Sequence, residues 1–435
     1  MSFKDTIADM AEVSAGAPLQ ALPSICSSNP LVLQSACEFG ARQHAPLVIE
    51  ATSNQVNQHG GYTGMRPADF VRNLRAIAVS HGLPNSGILI GGDHLGPNPW
   101  KDQGAAAAMD EAETLIREAV HAGYRKIHID CSMPLGAEEY GVDFDEELIA
   151  ERQARLCAVA EAASREQRGG TSPVYVIGSE VPIPGGPEDT GADLEITGAN
   201  NLRVTMKTAE AAFEMKGLRD AWERVVAVVV QPGVEFEHDR IYDYRPEKAR
   251  ELSAALREVP ALTYEAHSTD YQTEEGLSNL VADGFRILKV GPELTFALRE
   301  ALFLLEKVEE ELSGFISAPP SDLEDTVIEA MLENTAYWSR YYPASEPDRR
   351  LALKYSYSDR IRYYWSLPQV AEAVRRLIDN LNSVELPPGV VAQFFPRAYA
   401  QTRKTTEAMT PTMLLRERVQ HALRRYYRAC GMTSS

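Results

Sequence analysis

Short apolar runs alternate with amphipathic stretches along most of the chain. The apolar runs, at residues 21–26, 46–50, 88–92, 126–130, 173–180, 225–230, 262–266 and 285–290, are predicted as strands. The run at 225–230, Val-Val-Ala-Val-Val-Val, is continuously apolar and β-branched, as a parallel strand covered on both faces should be. Between the runs, residues 30–43, 67–81, 104–122, 145–166, 208–224, 246–257, 274–282 and 294–312 carry helical spacing. Pro67 suits a first helical turn, and Gly82 and Gly123 suit helix stops. A long loop is expected at 181–201, and a short helix ahead of the first strand.

About eight β-then-α units in a row predict a (β/α)8 TIM barrel. An open doubly wound sheet is the alternative, but it seldom needs so many units without a switch in strand order. Beyond residue 314 strand-like runs stop, and Tyr, Trp and Arg accumulate. Residues 369–381 and 413–430 have amphipathic helical spacing. The organisation expected is therefore a barrel over 1–314 and a helical C-terminal extension over 315–435, packed on the barrel.

A barrel carries its chemistry at the C-terminal ends of its strands. Those positions are polar throughout. The second strand ends at Glu50, before a loop bearing Asn54 and Gln55; the third ends in Gly91-Gly-Asp93-His94. The fourth ends at Asp130, followed by Ser132, the fifth at Glu180 and the sixth at Gln231. The seventh ends at Glu265, followed by His267, Ser268 and Asp270, and the eighth at Lys289. Buried polar groups must be paired, so such a ring is unexpected as core filling and natural in a site for a polyhydroxylated substrate and a cation. His94, Glu180 and His267 offer nitrogen and oxygen donors from three strands, which suits a divalent ion, zinc above others. Asp93 then stands beside the ion as acid/base, with Asp130 and Glu265 as further candidate catalytic carboxylates. Glu50, Asn54, Gln55, Ser132, Gln231, Ser268, Asp270 and Lys289 are candidates for substrate contact. His128, two residues before Asp130 and on the same strand face, reads as a paired core histidine.

A formal net charge of -19 argues against nucleic acid or an anionic membrane as partner. The five cysteines have no CxxC pair and no disulfide-framework spacing, so free thiols in a reducing cytoplasm are expected. The polar N-terminus is unlike a signal peptide, and no apolar stretch is long enough to span a bilayer.

Long strings of the sequence resemble the GatZ/KbaZ family, the non-catalytic subunits of class II D-tagatose-1,6-bisphosphate aldolase. They are Ile49-Glu-Ala-Thr-Ser-Asn-Gln-Val-Asn-Gln58, Gly60-Gly-Tyr-Thr-Gly-Met65, Gly91-Gly-Asp-His-Leu-Gly-Pro-Asn98 and His128-Ile-Asp-Cys-Ser-Met133. Further on come Gly178-Ser-Glu-Val-Pro182, Glu265-Ala-His-Ser-Thr-Asp270, Leu288-Lys-Val-Gly-Pro-Glu-Leu294 and Tyr355-Ser-Tyr-Ser-Asp-Arg-Ile-Arg-Tyr-Tyr-Trp365. The family is similar in turn to zinc-dependent class II aldolases, where an Asp-His pair after strand three supplies the proton-transfer Asp and a metal His. The resemblance implies those roles for Asp93 and His94, a second metal His at His267, and a phosphate neighbour at Lys289. Class II aldolases carry a further metal His after strand six; here that place reads Gln231-Pro-Gly233, with Glu180 or His238 as possible substitutes. The resemblance thus implies an accessory subunit in ketose or hexitol catabolism. It would bind a sugar phosphate, pair with a catalytic aldolase subunit, and form a homo- or hetero-oligomer. The rival expectation is a metal-dependent sugar or sugar-phosphate epimerase or aldolase active on its own. Some relatives are called tagatose-6-phosphate kinases, but this chain has no Gly-x-x-x-x-Gly-Lys loop, and Gly91-Gly-Asp-His follows a strand without opening a helix.

Overall fold

In the computed structural model, residues 20–167, 172–179, 194–258, 262–404 and 408–432 are described; the short helix expected ahead of the first strand lies outside them. Eight parallel strands close into a barrel: β1 (Leu22–Cys26), β2 (Leu47–Thr52), β3 (Ile88–Leu95), β4 (Lys126–Ile129), β5 (Val174–Ile177), β6 (Val225–Val230), β7 (Thr263–Ala266) and β8 (Phe285–Val290). Each pairs with its neighbours in sequence, and β8 closes on β1. The helices α1 (Pro30–Gln43), α2 (Pro67–Ser80), α3 (Ala105–Ala122), α4 (Glu146–Glu166), α5 (Ala199–Met215), α6 (Pro246–Ala255), α7 (Glu274–Ala282) and α8 (Pro292–Glu311) follow the strands in turn. The expected (β/α)8 architecture is what forms.

Two departures have local causes. The helix expected at 208–224 starts earlier, at Ala199, and stops at Met215, because Gly217 (φ 69°) turns the chain out of the helical region. The third strand runs past Gly92 to Leu95, so Asp93 and His94 belong to it. The register of β3 on β4 slips between Gly92 and Leu95, and His94 sits at φ 48°. This is a bulge, the device by which a strand re-aims side chains beside a site.

Period-two alternation sorts the barrel interior into layers. Leu22, Val48, Val174, Val176, Val226, Ala227, Val229 and Ile287 form a small apolar cluster of their own. Two residues further along their strands, Ser24, Glu50 and Lys289 share that inward face, and the register places Glu50 opposite Gly91, Gly91 opposite Lys126 and Ser24 opposite Lys289. The larger core lies between strands and helices and includes Ile49, Ile127, Tyr175 and Leu288.

Beyond α8 come α9 (Leu323–Glu333), α10 (Glu346–Tyr355), α11 (Pro368–Asn382), α12 (Pro388–Phe394), α13 (Pro396–Thr402) and α14 (Pro411–Ala429). The last helix lies against α1, α7 and α8. Ion pairs Arg416–Glu38, Arg418–Glu300 (2.9 Å), Arg425–Glu293 and Arg428–Glu274 (2.7 Å) fix it there, and Ala21 N donates to Cys430 O at 3.2 Å. Among the described residues no helix is long and apolar enough to cross a membrane.

Candidate metal centre and substrate pocket

The bulge in β3 is held by Ser53, whose hydroxyl donates to the His94 carbonyl at 2.8 Å, and by Gly96, where a Cβ would stand 1.8 Å from the Asp130 carbonyl oxygen. Through it Asp93, His94, His128 and His267 converge, each offering a ligand atom within 4.8 Å of the others. All four are buried.

Carboxylates behind the rings set their tautomers. His94 Nδ1 lies 2.8 Å from Asp130 Oδ2, and Asp130 is itself held by the Ser132 hydroxyl at 2.6 Å. His267 Nε2 lies 2.9 Å from Glu265 Oε1. With the N–H of each ring turned to its carboxylate, His94 Nε2 and His267 Nδ1 are both bare, and they face each other at 3.1 Å. Two lone pairs at that separation require a proton or a cation between them. His128 repeats the pattern: its Nδ1 accepts from His94 N at 3.1 Å yet stands 3.0 Å from Asp93 Oδ1, while its Nε2 is buried without a hydrogen-bond partner. This donor set fits a divalent cation.

Burial opposes charge on Asp93, but His94, His267 and His128 hold its carboxyl well below the usual range. Burial likewise opposes protonation of His94, and Asp93, Asp130 and Glu265 raise it overall. For His128 burial prevails and the ring is pushed down. The Cys26 thiol donates to Asp93 Oδ2 at 3.3 Å, and Lys289 Nζ stands 3.2 Å from Asp93 Oδ1. Burial brings Lys289 down to about 8.

Beneath this cluster the barrel holds a charged layer. Lys126 Nζ lies 2.6 Å from Glu50 and 2.7 Å from Glu265, and Lys289 pairs with the other Glu50 oxygen. Lys126, Glu50 and Glu265 are each 0% exposed. Gly91 makes the room: a Cβ there would come within 3.0 Å of both Glu50 Oε1 and Lys126 Cβ.

Above the cluster opens a cavity of about 440 Å3. Of the residues expected from sequence, Asp93, His94, His267, Asn54, Gln55, Ser268, Asp270 and Lys289 line it. Glu50 and Glu265 lie below in the charged layer, and Asp130 and Ser132 stand behind His94. Gln231 holds its own loop, with Oε1 accepting from Gly233 N at 2.8 Å and Val234 N at 3.1 Å. Asp270 also holds backbone, accepting from Gly291 N and Glu293 N at the start of α8, at 2.9 and 2.8 Å. Glu180 lies outside the described residues, and His238 is not in the cluster.

Sequence reasoning missed three things here. His128 joins the imidazole cluster; its inward strand face was the available signal. Lys126 neutralises two of the buried carboxylates. Arg362, Tyr363, Trp365 and Ser366 of the C-terminal extension line the cavity, and no periodicity marks them.

The fold and the site together define a TIM-barrel protein with buried imidazoles and carboxylates that could hold a metal ion at the barrel mouth. The chain belongs to the D-tagatose-1,6-bisphosphate aldolase subunit GatZ/KbaZ-like family, whose model matches residues 7–431. A solved structure described as a probable tagatose 6 phosphate kinase from Sinorhizobium meliloti 1021 is 43% identical, with a TM-score of 0.85 over 94% of this chain and 100% of that one. A fructuronate-tagaturonate epimerase, UxaE, from Cohnella laeviribosi is 12% identical at a TM-score of 0.49, over 96% of this chain and 83% of that one. The fructose-bisphosphate aldolase of Campylobacter jejuni is 12% identical at a TM-score of 0.43, over 88% and 92%.

Proposed function

We propose that this chain is the accessory subunit of a class II D-tagatose-1,6-bisphosphate aldolase. In this reading it binds a sugar phosphate and a divalent ion, zinc, at the barrel mouth, and works in the cytoplasm beside a catalytic aldolase subunit. The observation that carries the metal-bound reading is the pair of bare imidazole nitrogens, His94 Nε2 and His267 Nδ1, facing each other at 3.1 Å beside Asp93 and His128.

His94, His267 and His128 would hold the ion, and Asp130 and Glu265 would keep two of those rings in the ligating tautomer. When bound, such an ion polarises a carbonyl or alkoxide of the sugar. Asp93, kept ionised by its neighbours, accepts a proton from the adjacent substrate carbon or hydroxyl. Lys289 and the Cys26 thiol orient that carboxylate. Asn54, Gln55 and Ser268 line the cavity and would bind sugar hydroxyls. Nothing in the chain resembles a phosphate-cradling kinase loop, so phosphoryl transfer is not part of the proposal.

One observation favours a second reading. His128 supplies a third imidazole to the cluster, with His238 after β6 standing outside it, which suits a metal-dependent epimerase or aldolase active on its own.

Purified without a histidine tag, the protein is expected to contain stoichiometric zinc or manganese by elemental analysis. His94→Ala and His267→Ala should lose it while keeping the far-UV spectrum of the wild type. Absence of metal, with none bound on titration, refutes the metal-bound reading. Alone, the protein should cleave tagatose 1,6-bisphosphate poorly, and it should raise the activity or lifetime of the catalytic subunit when mixed with it. No effect on that subunit refutes the accessory role, and turnover of a ketose phosphate by the chain alone establishes the second reading.

A further inference from the structure

Residues 355–366 of the extension cross the mouth of the barrel as a strap. Tyr357 N donates to the His238 carbonyl at 2.9 Å, in the loop after β6. The Tyr271 hydroxyl, after β7, donates to the Tyr357 carbonyl at 2.6 Å. Thr295, in the first turn of α8, donates to Asp359 Oδ2 at 2.5 Å. The Ser366 hydroxyl donates to the Tyr62 carbonyl at 3.2 Å, in the loop after β2. Four separate anchors therefore fix the strap over the cavity.

Within the strap, Arg362 lines the cavity with Ser27, Ser28 and Ser366. Its guanidinium donates to the Ser358 and Asp359 carbonyls and to the Tyr363 hydroxyl, and lies 4.5 Å from the Tyr363 ring centroid. The Tyr363 ring is wedged in turn between Tyr62 and Tyr337, each with its centroid 4.6 Å away. Its hydrogen bonds thus all go to neutral groups, with the buried Asp359 carboxyl near enough to feel its charge. Among the described residues no carboxylate lies within ion-pair distance of it, whereas Arg416, Arg418, Arg424, Arg425 and Arg428 of the same extension each have an acidic partner. The carboxylates that line the cavity are already engaged, Asp93 by His128 and Lys289, Asp270 by the α8 amides. A guanidinium held in place on a cavity wall by neutral acceptors, with no carboxylate in ion-pair contact among the described residues, has the geometry of a receptor for an anion.

We infer that Arg362 is the anion anchor of the pocket, taking the phosphate of the substrate, so that the C-terminal extension selects a charged sugar over a neutral one. This rests on the sugar-phosphate reading above and adds the residue that enforces it. A carboxylate at the end of a sugar acid presents the same chemistry, and the experiment separates the two.

The full-length protein, Arg362→Gln and Arg362→Lys are titrated calorimetrically with D-tagatose 6-phosphate, D-tagatose, a hexuronate and inorganic phosphate, with metal content measured on each sample. Wild type should prefer the phosphate ester to the free sugar. Arg362→Gln should lose about tenfold to a hundredfold in affinity for the ester, as expected for a charge-assisted pair, with the free sugar and the metal content unchanged. Arg362→Lys should retain part of the affinity. Equal binding of the ester by wild type and Arg362→Gln overturns the inference, as does an equal loss of ester and free sugar. If Arg362→Gln fails to fold, phenylglyoxal labelling of wild type decides: phosphate or the ester must protect Arg362, and indifference overturns the anchor. Arg362-dependent binding of the hexuronate without binding of the ester keeps the anchor and overturns the sugar-phosphate reading. Loss of metal from wild type bears on the metal reading alone.

Discussion

Asp359 is a carboxyl that should weaken the protein as the pH rises. It is 2% exposed, at the centre of the strap, in the left-handed region (φ 45°, ψ 48°). Thr295 donates to one of its oxygens, and the other has no partner. Burial pushes its pKa from 3.8 up to about 7, against the pull of Thr295, Arg362 and Arg299. Between those two values the folded chain holds a proton that the unfolded chain has released. Stability therefore falls with rising pH across the window and is flat above it. At about 1.4 kcal/mol per unit, the span from 3.8 to about 7 corresponds to roughly 4 kcal/mol in total, of which about 3 kcal/mol falls above pH 5. Asp359→Asn tests this cleanly, because Asn tolerates the left-handed conformation and its carbonyl can still accept from Thr295. Leaving the new amide N–H groups unpaired costs the variant a constant amount. The informative quantity is the difference between variant and wild type, from urea unfolding at pH 5, 6, 7 and 8. That difference should move in favour of the variant by roughly 3 kcal/mol from pH 5 to 8, most of it below pH 7. A difference that stays constant, or that moves toward wild type with rising pH, would show that burial does not hold the carboxyl protonated and would refute the argument.

Two further outcomes follow from close packing. Lys126→Met strands Glu50 and Glu265 in the barrel without their shared cation, and should cost about 3–5 kcal/mol, read as a lower urea midpoint. Gly96→Ala drives a methyl into the Asp130 carbonyl, and should cost on the order of 3 kcal/mol and weaken metal binding through His94, read by thermal melting and metal titration.

The barrel was legible because the strands are compact apolar runs, and several helices end at a plain stop such as Gly123. The mouth was legible for the same reason: parallel strands put all their C-terminal ends on one side, so Asp93, His94 and His267 could be named together. What stayed hidden depends on register and on distant parts of the chain. A one-residue slip between Gly92 and Leu95 decides where His94 points, and no local pattern announces it. Glu50, Lys126 and Glu265 come from three strands, and only barrel closure reveals that they neutralise one another. Arg362 and Arg425 belong to a charged, aromatic-rich region whose composition suits ion pairing. Arg425 is paired with Glu293, and among the described residues Arg362 has no such partner, a distinction set by tertiary placement alone.

The final helix has a consequence for how the molecule is made. α14 pairs with Glu38 and Glu274 and places the Cys430 carbonyl on the amide of Ala21, just ahead of the first strand, so the two ends of the described chain are joined. A ribosome releases that helix long after all eight strands have emerged. Until then the nascent barrel lacks the wall behind α1 and α7, and the strap has only an unfinished body to lie across. A chain stopped before Pro411 would therefore be a barrel with an exposed flank along α1, α7 and α8.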